Sequence, residues 1–159
     1  MSLDAYVLPQ HPRSLLQTVA RWSATNVRLT AGTTILSLPF SSKSANSHVR
    51  LTYYMNLDMN MSAISGNSSR TIVAQRVNPA TTATTLNEAA TIAFTAAPLD
   101  FELITVFTFA FFESTPLVGP VTYRIQCTGS SASGVYTALA QALVVEEVDG
   151  PFDIQNALS

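Results

Sequence analysis

Cysteine occurs once in the 159 residues, at Cys127, so the chain holds no internal disulfide and no thiolate metal site. Lysine also occurs once, at Lys43; with seven arginines against ten carboxylates the net charge is −2. No cationic surface exists to displace counterions from a phosphate backbone, which excludes a nucleic-acid binder working through a basic patch. Charged residues make up 11% of the chain, against roughly 25% in an average soluble protein. No apolar run reaches the ~18 residues of a membrane-spanning helix, so no membrane insertion is expected. Met1 to Gln10 carries Asp4 and no basic stretch, and no secretory signal is visible there.

The chemistry of catalysis is also thin. The two histidines are His11, in a Pro-flanked segment, and His48, beside a Ser-rich loop and read as solvated. A nucleophilic triad needs a histidine held by a carboxylate within reach of a serine, and no Gly-x-Ser-x-Gly elbow accompanies the seventeen serines. Asn56-x-Asp58-x-Asn60 opens like a calcium loop but lacks the later Gly and Glu, and reads as the wet face of a strand. Glu146 and Glu147 are adjacent, so on a strand they point to opposite faces and cannot act as a catalytic pair. No Gly-rich phosphate loop appears. The expectation is a protein that is not an enzyme, with no cofactor and no metal.

What the chain has is 47% hydrophobic residues, enough to offset chain entropy, together with 19 Thr and 17 Ser. Eighteen charges serve the whole surface, which predicts that part of the apolar surplus is buried between copies. The dominant pattern is alternation. Val49, Leu51, Tyr53, Met55, Leu57, Met59 and Met61 alternate with Arg50, Thr52, Tyr54, Asn56, Asp58 and Asn60 over 13 residues. A helix would scatter those apolar positions around its circumference; a half-buried antiparallel strand puts them on one face.

Shorter alternating runs surround it. Thr33 to Phe40 puts Leu36, Leu38 and Phe40 on one face, and Pro39 marks an edge or a strand end. Arg70–Val77, Thr91–Thr95, Val121–Thr128 (with Tyr123, Ile125 and Cys127 on one face) and Ala138–Val148 read as further strands. Leu15 to Trp22 fits either a helical turn or two, or a first strand. Ser62–Ser69 and Gly129–Gly134 read as turns, and Ser41–Ser47 and Asn78–Thr85 as loops where any ligand would be met.

Phe101 to Phe112 differs in kind. Phe101, Leu103, Phe107, Phe109 and Phe111 share one face, and Ile104, Val106, Ala110 and Phe112 the other. Both faces are apolar, so both need a cover, one of them from a loop, an arm or a neighbouring subunit. Seven or eight strands with turn signals every 8–15 residues give an all-β antiparallel sandwich. Its domain spans 22–149, between an N-terminal arm, 1–21, and a tail, 150–159.

The order of these segments resembles a known family. Leu29-Thr30-Ala31-Gly32-Thr33-Thr34-Ile35-Leu36, the long alternating strand, Arg70–Val77, Val121–Gln126, a Ser/Gly turn and Ala142–Val148 together resemble the jelly-roll heads related to tumour necrosis factor and complement. In particular the pattern resembles the heads of collagen-like spore-surface fibres of bacilli and phage fibre heads. The resemblance covers Asn26 to Asp149 and implies a two-sheet jelly roll, a homotrimer and a role in display or adhesion. It implies a location on a spore or cell-surface appendage or a virion. It also implies that the 101–112 strand lines the trimer axis, through Phe107, Phe109 and Phe111 or through Ile104, Val106 and Phe112.

No Gly-x-y stalk precedes the domain, so the arm is expected to dock a stalk or particle protein. Alternatives left open are a capsid, decoration or fibre-head subunit, and a carbohydrate-binding module that would meet a surface glycan or receptor through Trp22, Tyr54 or Tyr136.

Overall fold

The computed structural model describes residues 14–61, 66–80, 82–86, 89–96, 101–114, 116–131 and 134–150. Ten strands follow in chain order: β1 (Leu15–Ser23), β2 (Val27–Arg28), β3 (Thr33–Ser42), β4 (Ser47–Met61), β5 (Gly66–Val77), β6 (Thr84–Thr85), β7 (Ala90–Ala96), β8 (Phe101–Glu113), β9 (Gly119–Ser131) and β10 (Val135–Asp149). They form two antiparallel sheets. One runs β1-β10-β4-β8, with β2 added to β10; the other runs β3-β9-β5 with β6 and β7 both on β5. Numbered among the eight long strands alone, the orders are 1-8-3-6 and 2-7-4-5, the double Greek key of a jelly roll.

The central strand β4 shows why the chain folds this way. Val49, Leu51, Tyr53, Met55 and Leu57 are wholly buried, whereas the residues between them face away from the core. The cross-strand register carries this parity through the first sheet. Val19, Val145, Leu51 and Phe111 form one inward row, and Arg21, Leu143, Tyr53 and Phe109 the next. Tyr53, Tyr123 and Tyr136 are the largest fully buried side chains, and each phenol has a partner, as a buried hydroxyl requires. Tyr53 donates to Gln141 Oε1 at 3.4 Å, Tyr136 to Ser68 Oγ at 3.0 Å, and Tyr123 to Glu113, which also pairs with Arg76. Burial raises the phenols of Tyr53 and Tyr123 above the usual tyrosine range.

Five features differ from the sequence reading. Leu15 to Arg21, assigned to the arm, are paired along β10; Met1 to Arg13 and the tail from Pro151 lie outside the described residues. β3 buries Ile35 as well as Leu36, because a bulge between Thr34 and Leu36 re-aims the chain and breaks strict alternation. β5 begins at Gly66, inside the expected turn, and β9 extends through Gly129 to Ser131 by pairing with Ser69 to Thr71. His48, read as solvated, is buried within β4, and its Nδ1 lies 3.0 Å from the carbonyl of Gly150.

Both ends of the described chain leave from one end of the sandwich. Asp149 N–H donates to the carbonyl of Ser14 at 3.0 Å, and Gly150 N–H to that of Asn46 at 2.8 Å. The β3–β4 connection lies here. So do β5's C-terminal end and β9's N-terminal end, paired through Val77 and Thr122.

Candidate functional site

Alternation that sends one face of β4 inward sends the other outward, and the register assembles that outer face into rows. Thr18, Glu146, Arg50 and Phe112 form one; Ala20, Val144, Thr52 and Ala110 the next; Trp22, Ala142, Tyr54 and Thr108 the third. Beyond them lie Ala140, Asn56 and Val106, then Thr137, Asp58 and Ile104. Charge is confined to the ends of this face. Arg50 and Glu146 close on each other at 3.0 Å at one end, and Asp58 sits at the other.

The middle of the face is apolar and open. Trp22 is 69% exposed, Val106 68%, Ile104 58% and Tyr54 43%. Trp22, Tyr54 and Val106 surround a shallow depression floored by Ala140 and Ala142, with Asn56 at its side. The small alanines of β10 create it, because large side chains on β1, β4 and β8 stand up around a strip that does not fill. Large apolar side chains scattered singly over a surface are ordinary; a contiguous set on one sheet face is an interaction surface.

β8 forms the border of this face, and its outer edge has no strand partner among the described residues. It pairs with β4 through 13 consecutive residues without a bulge, and carries no charge between Glu102 and Glu113. Proteins ordinarily guard such an edge with charge, proline or a bulge, because a long flat apolar edge recruits other chains. The expected interface residues divide here. Phe107, Phe109 and Phe111 point inward: Phe111 is buried, Phe109 stacks on Tyr53 with ring centroids 6.1 Å apart, and Phe107 stacks on Phe109 at 6.1 Å. Ile104, Val106 and Phe112 stand on the outer face. Parity within the strand left the two sets equivalent; the register with β4 separates them.

The aromatic residues singled out for a glycan also part. Tyr136 is wholly buried, with the Arg70 guanidinium 4.2 Å from its ring centre. Trp22 and Tyr54 flank the depression. The juxtaposition of the two was not legible in the sequence, since it is set by the pairing of Trp22 with Ala142, 120 residues away, and of Ala142 with Tyr54.

A second polar feature went unforeseen. Glu147 is wholly buried, yet no cation pairs with it among the described residues; donors surround it instead. Oε1 accepts from Ser42 Oγ at 2.7 Å, Ser47 Oγ at 2.8 Å, Lys43 N–H at 3.0 Å and Ser44 N–H at 3.2 Å. Oε2 accepts from Gln17 Nε2 at 2.6 Å. Burial alone would raise this carboxyl, but hydrogen bonds from Ser42, Gln17, Lys43 and Ser47 outweigh it and hold it at about 2. The cage ties β1, β10 and the β3–β4 loop together. Its geometry is that of a structural knot, because every donor is already spent on the chain's own carboxylate.

Cys127 is buried and its thiol is pushed up by desolvation, which makes it a packing residue rather than a nucleophile. No cluster of three or more His, Cys, Asp or Glu exists among the described residues. No helix there is long and apolar enough to cross a membrane.

Comparison with solved structures finds likenesses in fold. The chain is similar to the solved structure of Eiger TNF from S. frugiperda at 12% identity, over 86% of this chain and 96% of that one, with a TM-score of 0.46. No protein-family model and no curated protein sequence matches it.

Proposed function

We propose that the protein is a non-enzymatic structural subunit that works as a homotrimer, assembled through the outer face of the β1-β10-β4-β8 sheet and displayed on a surface appendage or a particle. The observation that carries the reading is the open apolar field of Trp22, Tyr54, Ile104 and Val106, continuous with the unguarded edge of β8. A second copy is the occupant the field suits best. Its charges are either paired within the chain, as Arg50 with Glu146, or at the margin, so it offers nothing to steer a charged partner. In a three-fold ring each contact joins two different patches, here the open face of one copy and the β8 edge of the next; both are apolar, and homomeric interfaces are the more apolar class. The number three rests on the family resemblance of the strand order.

Attachment follows from the placement of the chain ends. The described chain begins and ends at one end of the sandwich, so a subunit tethered there to a stalk or shell presents its opposite end outward. A spore or cell-surface fibre head and a phage or virus fibre-head, decoration or capsid subunit share this geometry. They are separated by what the arm binds.

Trp22 is the only tryptophan and supplies the test. Its emission is that of a solvated indole in the separated subunit and moves to shorter wavelength on assembly, so dilution through the dissociation range shifts it back to red. Emission that stays red at every concentration while the protein remains folded overturns the reading. That outcome favours a second one, a glycan-binding module using the Trp22–Tyr54 depression, which needs the same face free. Sugar-dependent quenching of Trp22 in the monomer identifies it.

A further inference from the structure

The wall of the depression that carries Trp22 belongs to the least buried of the long strands of its sheet. Five of the nine residues of β1 are exposed and none is fully buried, whereas seven of the fifteen in β10 are buried. Its inward side is Gln17, Val19 and Arg21, and of these Val19 packs against the core. The other two reach across the open side of the sandwich to β3. Gln17 Nε2 donates to the carbonyl of Ser41 at 2.7 Å as well as to Glu147, and Arg21 Nη1 donates to the carbonyl of Ser37 at 2.8 Å. A strand held by an edge ladder and polar tethers lies at the low end of local stability, below strands buried on a common core.

Resting on the reading of this face as a self-association surface, we infer that β1 is a detachable strap whose docking completes the interface, with Gln17 and Arg21 as the positioning residues that set how much of the protein is competent to assemble. With the strap down, Trp22 stands opposite Tyr54 across Ala142. With it lifted, the depression loses one wall and β10 is left with a bare edge, while β4, β8 and the second sheet keep their packing. Neither tether touches the outer face; Arg21 acts on assembly through β1, and Gln17 through β1 and the Glu147 cage that it helps to close. Assembly in turn holds the strap down, because the two equilibria are linked.

The test is hydrogen exchange read by mass spectrometry alongside the oligomer–monomer equilibrium, on the full chain and on a Gln17→Ala/Arg21→Ala variant. In dissociated wild-type protein, amides of 15–23 exchange at least about ten-fold faster than those of 49–60. A sheltered hydrogen bond to a charged group is worth about ten- to a hundred-fold in an equilibrium and an exposed one less; both carbonyl tethers are exposed, so losing the pair together raises β1 exchange and the concentration of half-assembly by about ten- to a hundred-fold. Exchange in β4 stays unchanged. Arg21→Lys, which keeps a donor, falls between variant and wild type.

Three results overturn the inference. One is β1 protected as strongly as β4. Another is faster β1 exchange with unchanged assembly. The third is a variant whose whole core loosens, which would make β1 an integral strand. A wild-type chain that never associates overturns the self-association reading itself, and is recognised before any variant is made.

Discussion

Val106→Asp separates the face from the fold. Val106 is 68% exposed in the subunit and lies opposite Asn56, so a carboxylate there is solvated and changes the stability of the separated chain by no more than about 0.5 kcal/mol. In the proposed assembly the same position is covered. Two thirds of a valine side chain still to be buried is worth about 1–2 kcal/mol, from about 1.5–3 for full burial of a side chain of this class. A carboxylate taken out of water without a partner adds several kcal/mol more. The sum is about 4 kcal/mol or more at each contact, which weakens association by about a thousand-fold.

Phe109→Asp is the counterpart, three residue pairs along the ladder, on the inward row with Arg21, Leu143 and Tyr53. It places a charge against the Tyr53 ring and unfolds the subunit, at a cost above about 4 kcal/mol. Light scattering gives the mass and circular dichroism with thermal melting gives the fold. A Val106→Asp protein that remains assembled, or that fails to fold as a monomer, refutes the assignment of this face.

Glu147 supplies a pH dependence. Its carboxyl sits at about 2 in the folded chain against 4.5 for a free glutamate, so its stabilisation is complete above pH 4.5 and is lost as pH falls towards 2. The difference is worth about 3 kcal/mol, and Glu147→Gln abolishes the fall in that window when stability is followed by denaturant titration at each pH. Arg70 donates to the carbonyls of Leu29, Ser69 and Gly134 at 2.8–2.9 Å, so Arg70→Met strands buried acceptors and lowers stability by about 3 kcal/mol or more in chemical denaturation. Cys127 reacts with a thiol reagent only as fast as the subunit unfolds; rapid labelling of the folded protein contradicts its burial.

Strand parity within single segments was legible in the sequence wherever one face was apolar and the other polar. β4 shows this from Val49 to Met59, and so does the edge position of β3 marked by Pro39, which is exposed. Parity fails where it carries no contrast. In β8 both faces are apolar, so only the ladder to β4 assigns Ile104 and Val106 outward and Phe109 inward. It also fails at bulges: Ile35 and Leu36 are both buried because an extra residue shifts the register, which a period-two reading cannot contain.

Site features made by long-range pairing were beyond reach of local pattern. Trp22 meets Tyr54 through β10, and Glu147 meets a Ser-rich loop some hundred residues earlier in the chain. The serines at 42, 44 and 47 read as part of a loop where any ligand would be met. In the fold two of their hydroxyls and two backbone amides are the donors that allow a carboxylate to be buried without a cation.

The account stands on self-association, and mass in solution decides it. Light scattering coupled to size exclusion, at two concentrations and at high salt, is predicted to show a species of three times 17.1 kDa. It should resist salt, because the face that joins the copies is apolar and its one ion pair lies within the chain. A folded species of 17.1 kDa at every concentration would contradict the account.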